Sequence, residues 1–208
     1  MSRAVILANG TPPPPGLIKR ALAQSPLFLC ADGGANTARQ LGVKPAAIVG
    51  DFDSATPETL AHFRDVPQIQ DRSAEHTDLD KTIAYALAQG PLEEILLLGA
   101  TGRLDHVIEH LGLMRKYRNR VRLVMEDDHG RAYVTSKDVR LTCPRGTTVS
   151  FFAVGRPVEG LTTENLKYPL YNVTLELGVQ DSISNVVEAT PAWIRFRQGD
   201  LLVIEATP

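Results

Sequence analysis

The chain has 208 residues, of which 43% are hydrophobic and 22% are charged. This composition is typical of a folded globular protein and excludes a wholly disordered chain. The 22 lysines and arginines nearly balance 24 aspartates and glutamates, and the resulting net charge of −2 argues against binding to nucleic acid or acidic membranes through net charge.

Cysteine content and the N-terminal segment indicate the expected cellular setting. Two cysteines, Cys30 and Cys143, are too few for a disulfide framework or for a cysteine-based zinc site. The apolar run at residues 4–8 is typical of a buried strand, being too short for a signal peptide or a membrane span. We therefore expect a cytoplasmic protein without a membrane segment.

The first two thirds of the chain alternate short apolar runs with segments of helical period. Apolar residues recur at helical spacing from Leu79 to Leu87 and from Leu104 to Met114, and a further helix is predicted to begin near Gly16. Thr77 is a predicted N-cap for the first of these periodic segments. Strand–helix alternation predicts a mostly parallel sheet flanked by helices. The predicted strands are residues 4–8, 27–30, 47–49, 66–69, 95–98 and 121–125.

Helical period disappears beyond residue 138, where short strands separated by turn residues follow one another. The pattern predicts a small all-β sandwich. We therefore expect an α/β domain at residues 1–135 and a β-sandwich domain at residues 136–208. The predicted strands are residues 139–142, 147–154, 172–177, 184–188, 192–197 and 201–205.

Glycines and carboxylates follow several of the N-terminal strands or open the next helix. They occur at residues 31–36, 50–54, 77–81 and 99–106. Because the carboxyl ends of parallel strands meet at one sheet edge, these segments are expected to converge on a ligand site. Glycines permit close approach of phosphates, and clustered carboxylates suit Mg²⁺ held together with substrate phosphates. The sequence therefore predicts a Mg²⁺–nucleotide site, without either a P-loop or a standard dinucleotide motif.

Each acidic segment also has a purely structural interpretation. Asp51 and Asp53 are suited to capping a following helix, and Asp78 is suited to the first turn of one. Arg103 and Asp105 are suited to forming a surface ion pair of small energetic value. The functional hypothesis rests on the coincidence of these segments at one edge.

Two further patterns are interpreted structurally. Residues 106–110 spell HVIEH, an inverted zinc-protease pattern, but no third ligand is evident, and we expect His110 to lie on a helix surface. Basic residues from Arg115 to Arg122 are expected to form the solvated end of a helix and the start of a strand. Without interleaved aromatics apart from Tyr117, they do not predict a nucleic-acid site.

The ordered set of motifs resembles the thiamine pyrophosphokinase family. ADGGAN at 31–36, GDFDS at 50–54, TDLDK at 77–81 and GATGRLDH at 99–106 occur in the order typical of that family. GTTVSFFAV at 146–154, GLTTENLKYPL at 160–170 and SISN at 182–185 are similar to its β domain. The resemblance spans nearly the whole chain.

The resemblance implies an enzyme that transfers pyrophosphate from ATP to the hydroxyl of thiamine, giving thiamine diphosphate and AMP. It also implies Mg²⁺ as cofactor and a homodimer with active sites at the interface. The implied metal ligands are Asp51, Asp53 and Asp78, and the implied catalytic residues are Asp78, Arg103 and Asp105. The implied nucleotide-binding residues are Asp32, Gly33, Gly34, Asn36, Thr77, Lys81, Gly99 and Thr101, and Ser184 and Asn185 are the implied substrate-binding residues.

The sequence departs from the family pattern at four places. Ala74 replaces a frequent glutamine, the GATGR loop is one glycine shorter than usual, and Asn165 and Ser182 replace glycines. The sequence leaves two candidates for the general base, Asp78 and Asp105. A non-catalytic nucleotide- or thiamine-sensing module is the alternative function, although a sensor has less need of a metal-binding acidic cluster.

Overall fold

A computed structural model describes residues 2–207, which form two compact units. The first unit comprises residues up to Leu113 together with Leu123–Asp128. The second comprises Met114–Arg122 and the residues from His129 onward. No helix within residues 2–207 combines the length and apolar character needed to cross a membrane.

The first unit is built on a mostly parallel sheet. Its strand order is β6-β5-β1-β2-β3-β4, and the pairs joining β5, β1, β2, β3 and β4 are parallel. Residues 4–7 and 95–98 are almost wholly buried, as expected for parallel strands covered on both faces. The strands are β1 (Arg3–Leu7), β2 (Leu27–Ala31), β3 (Ala47–Gly50), β4 (Gln68–Gln70), β5 (Glu94–Leu98) and β6 (Arg122–Glu126).

Five helices follow the strands of this sheet. Thr77 caps α4 as predicted, because its hydroxyl accepts a hydrogen bond from the Asp80 N–H at 3.3 Å. Thr56, rather than Asp51 or Asp53, caps α3, so the interpretation of those two aspartates as helix caps is wrong. The helices are α1 (Pro15–Ala23), α2 (Gly34–Gln40), α3 (Pro57–His62), α4 (Asp78–Ala88) and α5 (Leu104–Tyr117).

The order in which successive strands are added to the sheet reverses at β1, because β2 lies on one side of it and β5 on the other. In open α/β sheets such a switch leaves a crevice at the carboxyl ends of the strands, where ligands bind. Here the loops that follow β1 and β5 are joined by main-chain hydrogen bonds from Gly10 N–H to the Gly99 carbonyl and from Thr11 N–H to the Thr101 carbonyl, both 2.7 Å.

The second unit contains two antiparallel sheets, with strand orders β7-β14-β9-β12 and β11-β10-β13-β8. Burial alternates along β9, as expected for a strand with one face on the core. Together with the parallel sheet, these sheets confirm the predicted fold class. The strands are β7 (Gly130–Thr135), β8 (Val139–Leu141), β9 (Thr148–Ala153), β10 (Val158–Glu164), β11 (Val173–Leu175), β12 (Ser182–Val186), β13 (Ala192–Arg195) and β14 (Leu201–Ala206).

The basic stretch at the end of α5 is used within the second unit. The carboxylate of Asp200, which is 0% exposed, accepts hydrogen bonds from Arg115 Nε at 3.0 Å and Arg118 Nε at 2.5 Å. Arg120 lies over the ring of Tyr117. These partners give the stretch a structural role more specific than the solvated helix end that the sequence predicts.

Candidate functional site

Three carboxylates meet at the edge of the parallel sheet where its strands end. Asp32 follows β2, Asp51 follows β3, and Asp78 is the first residue of α4. One oxygen from each lies within 4.8 Å of the other two. We refer to Asp32, Asp51 and Asp78 as the acidic cluster. Its oxygens are hard ligands at the spacing a divalent cation needs.

Asp32 is the most buried member of the acidic cluster, with 2% of its surface exposed. Its carboxylate accepts backbone hydrogen bonds from Ser54 at 3.0 Å and Ala55 at 3.2 Å. Burial raises the pKa of Asp32 to about 6 against the lowering effect of these two N–H groups, and the negative charge of Asp78 raises it further. A bound cation would therefore stabilise the ionised form of the Asp32 carboxylate.

The loop after β3 shapes the position of Asp51. The Asp53 N–H donates to Asp51 Oδ1 at 3.0 Å, and the intervening Phe52 has a left-handed φ of 68°. Asp53 itself is exposed, and its carboxylate accepts a hydrogen bond from the Ser54 hydroxyl at 2.9 Å. The structure thus groups Asp32 with Asp51 and Asp78. The sequence instead predicts Asp53 as the third metal ligand. The metal-ligand role of Asp53 stays a prediction.

Lys81 supplies a positive charge to the acidic cluster. Its side chain is 5% exposed, and Nζ lies 3.2 Å from Asp78 Oδ1 and 2.9 Å from the Asp71 carbonyl oxygen. Because Lys81 is on the first turn of α4, it also lies close to Thr77 at the helix N-terminus. The ammonium group holds the Asp78 carboxylate in place.

A cleft of about 340 Å³ opens beside the acidic cluster, within the first unit. Its lining combines segments that follow β1, β2, β3 and β5 with the start of α4. Seven residues predicted from the sequence line it: Asp32, Asp51, Thr77, Asp78, Lys81, Thr101 and Arg103.

Four predicted nucleotide-binding residues are absent from the lining of the cleft: Gly33, Gly34, Asn36 and Gly99. Gly33, which precedes α2, and Gly34, its first residue, allow close packing, because a Cβ on Gly34 would lie 2.1 Å from the Leu7 carbonyl oxygen. Asn36 holds the loop after β3, since its amide donates to the Ser54 carbonyl at 3.0 Å and accepts from the Thr56 N–H at 3.1 Å. Their direct contact with nucleotide stays a prediction.

Arg103 and Asp105 form an exposed bidentate pair, with N–O distances of 3.1 and 2.6 Å. The guanidinium lowers the pKa of Asp105 to about 2. Only Arg103 of the two lines the cleft.

Sequence reasoning missed several residues of the cleft, among them Asn9 and Gly10, directly after β1, and the histidines His106 and His110. The position of Asn9 and Gly10 at the carboxyl end of a predicted strand was the signal that could have identified them. The expectation that His110 lies on a helix surface is wrong, because it is 4% exposed and its Nδ1 lies 2.8 Å from the Ala100 carbonyl oxygen.

The predicted substrate-binding pair lies in the second unit. Ser184 is exposed and has a φ of 55°, and its N–H donates to the Ser150 hydroxyl at 3.0 Å. Asn185 is buried, and its amide donates to the Tyr168 carbonyl at 2.7 Å and accepts from the Tyr168 N–H at 3.0 Å. Asn185 therefore positions the backbone at Tyr168.

Comparisons with known proteins agree over both units. Residues 18–125 match the family model described as thiamin pyrophosphokinase, catalytic domain, and residues 136–201 match the vitamin B1 binding domain of the same enzyme. The chain is 28% identical over 188 residues to thiamine pyrophosphokinase of Bacillus subtilis (strain 168), covering 87% of both chains. It is also 28% identical to thiamine pyrophosphokinase 1 of Oryza sativa subsp. japonica, covering 78% of this chain and 72% of that one.

A solved structure shows the same fold. The crystal structure of thiamine pyrophosphokinase from Bacillus subtilis superposes with a TM-score of 0.88 at 25% identity, covering 99% of each chain. These matches confirm the predicted family and the prediction that the chain is an enzyme, a thiamine diphosphokinase. The chain therefore belongs to the thiamine pyrophosphokinase family.

Proposed function

We propose that the cleft is where the chain transfers the pyrophosphoryl group of ATP to the hydroxyl of thiamine, giving thiamine diphosphate and AMP. The observation that carries this proposal is the convergence of Asp32, Asp51 and Asp78 at the edge of a parallel sheet in a chain of this family. Pyrophosphoryl transfer needs charge neutralisation and in-line positioning more than covalent chemistry, and a polar cleft of this kind supplies both.

Mg²⁺ is the cofactor we propose for the acidic cluster. The donor set fits it, because it consists of carboxylate oxygens, one of them on a buried side chain whose pKa is raised towards neutrality. When bound, the ion would neutralise phosphate charge and polarise the phosphorus under attack. Asp53 is the further ligand that the sequence predicts.

Cationic and hydroxyl side chains along the cleft are proposed to position the phosphates. The exposed pair between Arg103 and Asp105 contributes little stability, so the guanidinium can exchange its carboxylate for a phosphate at small cost. Thr77 and Thr101 offer hydroxyl groups along the same cleft. Lys81 stays with Asp78 and limits repulsion within the acidic cluster.

Asp78 is the better of the two general-base candidates. It lies in the cleft, whereas Asp105 is absent from its lining. The pKa of Asp105, lowered to about 2 by Arg103, makes it a weak base at neutral pH. We therefore assign proton acceptance from the thiamine hydroxyl to Asp78.

Residues 136–208 are proposed as the thiamine-binding domain, with residues 1–135 as the nucleotide-binding catalytic domain. The match of residues 136–201 to a vitamin B1 binding domain supports this division, and Ser184 and Asn185 are the proposed substrate-binding residues. Replacing Ser184 with alanine should raise the KM for thiamine several-fold and leave the KM for ATP unchanged. An unchanged thiamine KM would remove Ser184 from the binding site.

A cytoplasmic homodimer with active sites at its interface is the proposed assembly. Large apolar side chains are exposed on the second unit, which supports burial against another copy: Tyr171, Leu177, Val179 and Ile183. Light scattering on a sizing column should give a dimer for the wild type and a monomer for Ile183→Asp. A wild-type monomer at micromolar concentration would contradict the proposal.

The decisive experiment is incubation with thiamine, ATP and Mg²⁺, with products separated by chromatography. We expect AMP and thiamine diphosphate in equal amounts, and no turnover in Asp51→Asn. The matched control is Asp65→Asn, an exposed aspartate paired with Lys44, which should keep wild-type rates. ADP with thiamine monophosphate would contradict pyrophosphoryl transfer, and tight binding without turnover would favour the sensing alternative.

A further inference from the structure

Glu109 on α5 is linked to the start of α4 by a single side-chain contact. The Thr77 hydroxyl and Glu109 Oε1 are 3.0 Å apart. Glu109 is the acid of the HVIEH segment, for which the sequence offers no role once zinc chemistry is set aside. It is absent from the lining of the cleft, whereas Thr77 and Asp78 both line it.

The direction of this hydrogen bond is fixed by chemistry. An ionised carboxylate can only accept, so the Thr77 hydroxyl must donate its proton to Glu109. The oxygen lone pairs of Thr77 then accept the Asp80 N–H, which is the capping bond of α4. Glu109 thus holds the Thr77 hydroxyl in the orientation that caps the helix on which Asp78 is the first residue.

The second oxygen of Glu109 makes a weaker contact than the first. Oε2 is buried and has no hydrogen-bond partner among the described residues. His110 Nε2 is 3.7 Å away, and His110 uses its Nδ1 proton on the Ala100 carbonyl, so the neutral ring has no proton for Glu109. The Glu109 side chain is 32% exposed, so its hydrogen bond to the Thr77 hydroxyl is the contact through which it acts on α4.

We propose that Glu109 is a positioning residue for metal binding, acting through Thr77 to hold the N-terminus of α4 and with it the Asp78 carboxylate. The inference rests on the proposed function of the cleft. It assigns to the acid of the HVIEH segment a role in ordering the acidic cluster, although Glu109 itself ligates nothing.

The test compares Glu109→Gln, Glu109→Met, Thr77→Val and the double variant Glu109→Met/Thr77→Val. Mn²⁺ binding is measured by calorimetry without ATP or thiamine, together with the melting temperature of the metal-free protein. Glutamine keeps a carbonyl acceptor for Thr77, whereas methionine keeps length and helix propensity without one. Glu58→Met, on the exposed first turn of α3, is the matched control.

We expect Glu109→Met to weaken Mn²⁺ binding about three- to tenfold, the range that loss of one hydrogen bond gives. Its melting temperature should stay within a few degrees of the wild type, because the side chain is one-third exposed and the Thr77 hydroxyl can still cap α4. Glu109→Gln and Glu58→Met should bind within about twofold of the wild type. In the Thr77→Val background, Glu109→Met should cause no further loss, since the two residues act in series.

Wild-type Mn²⁺ affinity in Glu109→Met would overturn the inference, as would a full additional loss in the double variant. A purely structural role is distinguishable, because it would lower the melting temperature and leave Mn²⁺ affinity unchanged. If the wild type fails to make thiamine diphosphate, the proposed function fails, and the Mn²⁺ comparison still decides the role of Glu109.

Discussion

Replacement of Asp32 by asparagine should stabilise the metal-free protein and abolish metal binding. The pKa of Asp32 is raised to about 6 by burial, so ionising this carboxyl costs free energy in the folded state. The folded protein therefore holds a proton that the unfolded chain has released between about pH 4 and pH 6. Over this window the stability of the metal-free wild type should fall as the pH rises.

The size of the effect follows from the pKa of Asp32. A rise from 3.8 to about 6 corresponds to a penalty of about 3 kcal/mol at neutral pH. Asparagine avoids this penalty but has one acceptor oxygen for the two N–H groups of Ser54 and Ala55, which costs about 1–1.5 kcal/mol. Asparagine also tolerates the left-handed φ of 39° at this position. A net gain of about 1–2 kcal/mol remains.

The assay is urea unfolding in EDTA at pH 5 and pH 7, followed by calorimetric titration with Mn²⁺. Asp32→Asn should exceed the wild type in stability at pH 7, by a smaller margin at pH 5, and should show no measurable Mn²⁺ binding. Asp65→Asn is the control, because that exposed carboxylate, paired with Lys44, lies outside the acidic cluster and its loss should change stability and Mn²⁺ binding little. Lower stability of Asp32→Asn at pH 7, or unchanged Mn²⁺ affinity, would refute the reasoning.

Three further substitutions test interactions within the two units. Asp200→Ala should lower the free energy of unfolding by about 2–3 kcal/mol in urea, because it removes a wholly buried carboxylate that binds both Arg115 and the partly buried Arg118, and a loss below about 1 kcal/mol would contradict a stabilising role for these ion pairs. Gly10→Ala should cost about 1–3 kcal/mol and raise the KM for ATP, since the new Cβ would lie 2.1 Å from the Thr101 carbonyl oxygen. Thr56→Ala should cost about 1 kcal/mol through loss of the α3 cap and leave kcat unchanged, which steady-state kinetics will check.

The central parallel strands β1, β2, β3 and β5 were predictable because they are apolar runs that are almost wholly buried, whereas the edge strand β4 is exposed. Two strands of the second unit were not predicted. In β10, Gly160 has a φ of 69° and the pairing register shifts between Val158 and Leu161, so the sequence carries turn residues inside a strand. β7, at residues 130–135, precedes the part of the chain where the helical period disappears, so the sequence pattern does not predict a strand there. Alternation alone cannot reveal either strand.

The site was predictable as a sheet edge but not as a set of ligands. Asp32, Asp51 and Asp53 all follow predicted strands, and which of them converge depends on the path of the loop through Phe52. The role of Glu109 was hidden for a similar reason, because its contact with Thr77 spans 32 positions of sequence. Local sequence patterns identify the sheet edge at which the site lies. Which carboxylate oxygens come together there depends on contacts between residues that are far apart in the sequence.

The main-chain hydrogen bonds between the loops after β1 and β5 limit which parts of the cleft can be altered to change substrate specificity. Where Gly10 pairs with Gly99, one side of the cleft is fixed by peptide groups, which persist under most side-chain replacements. Another part of the lining, which includes Ser73 and Ala74, belongs to a segment at residues 73–77 whose residues are all exposed. Engineering aimed at another nucleotide donor therefore has its freedom at residues 73–75, where amino-acid changes alter the surface of the cleft without removing the Thr77 cap of α4.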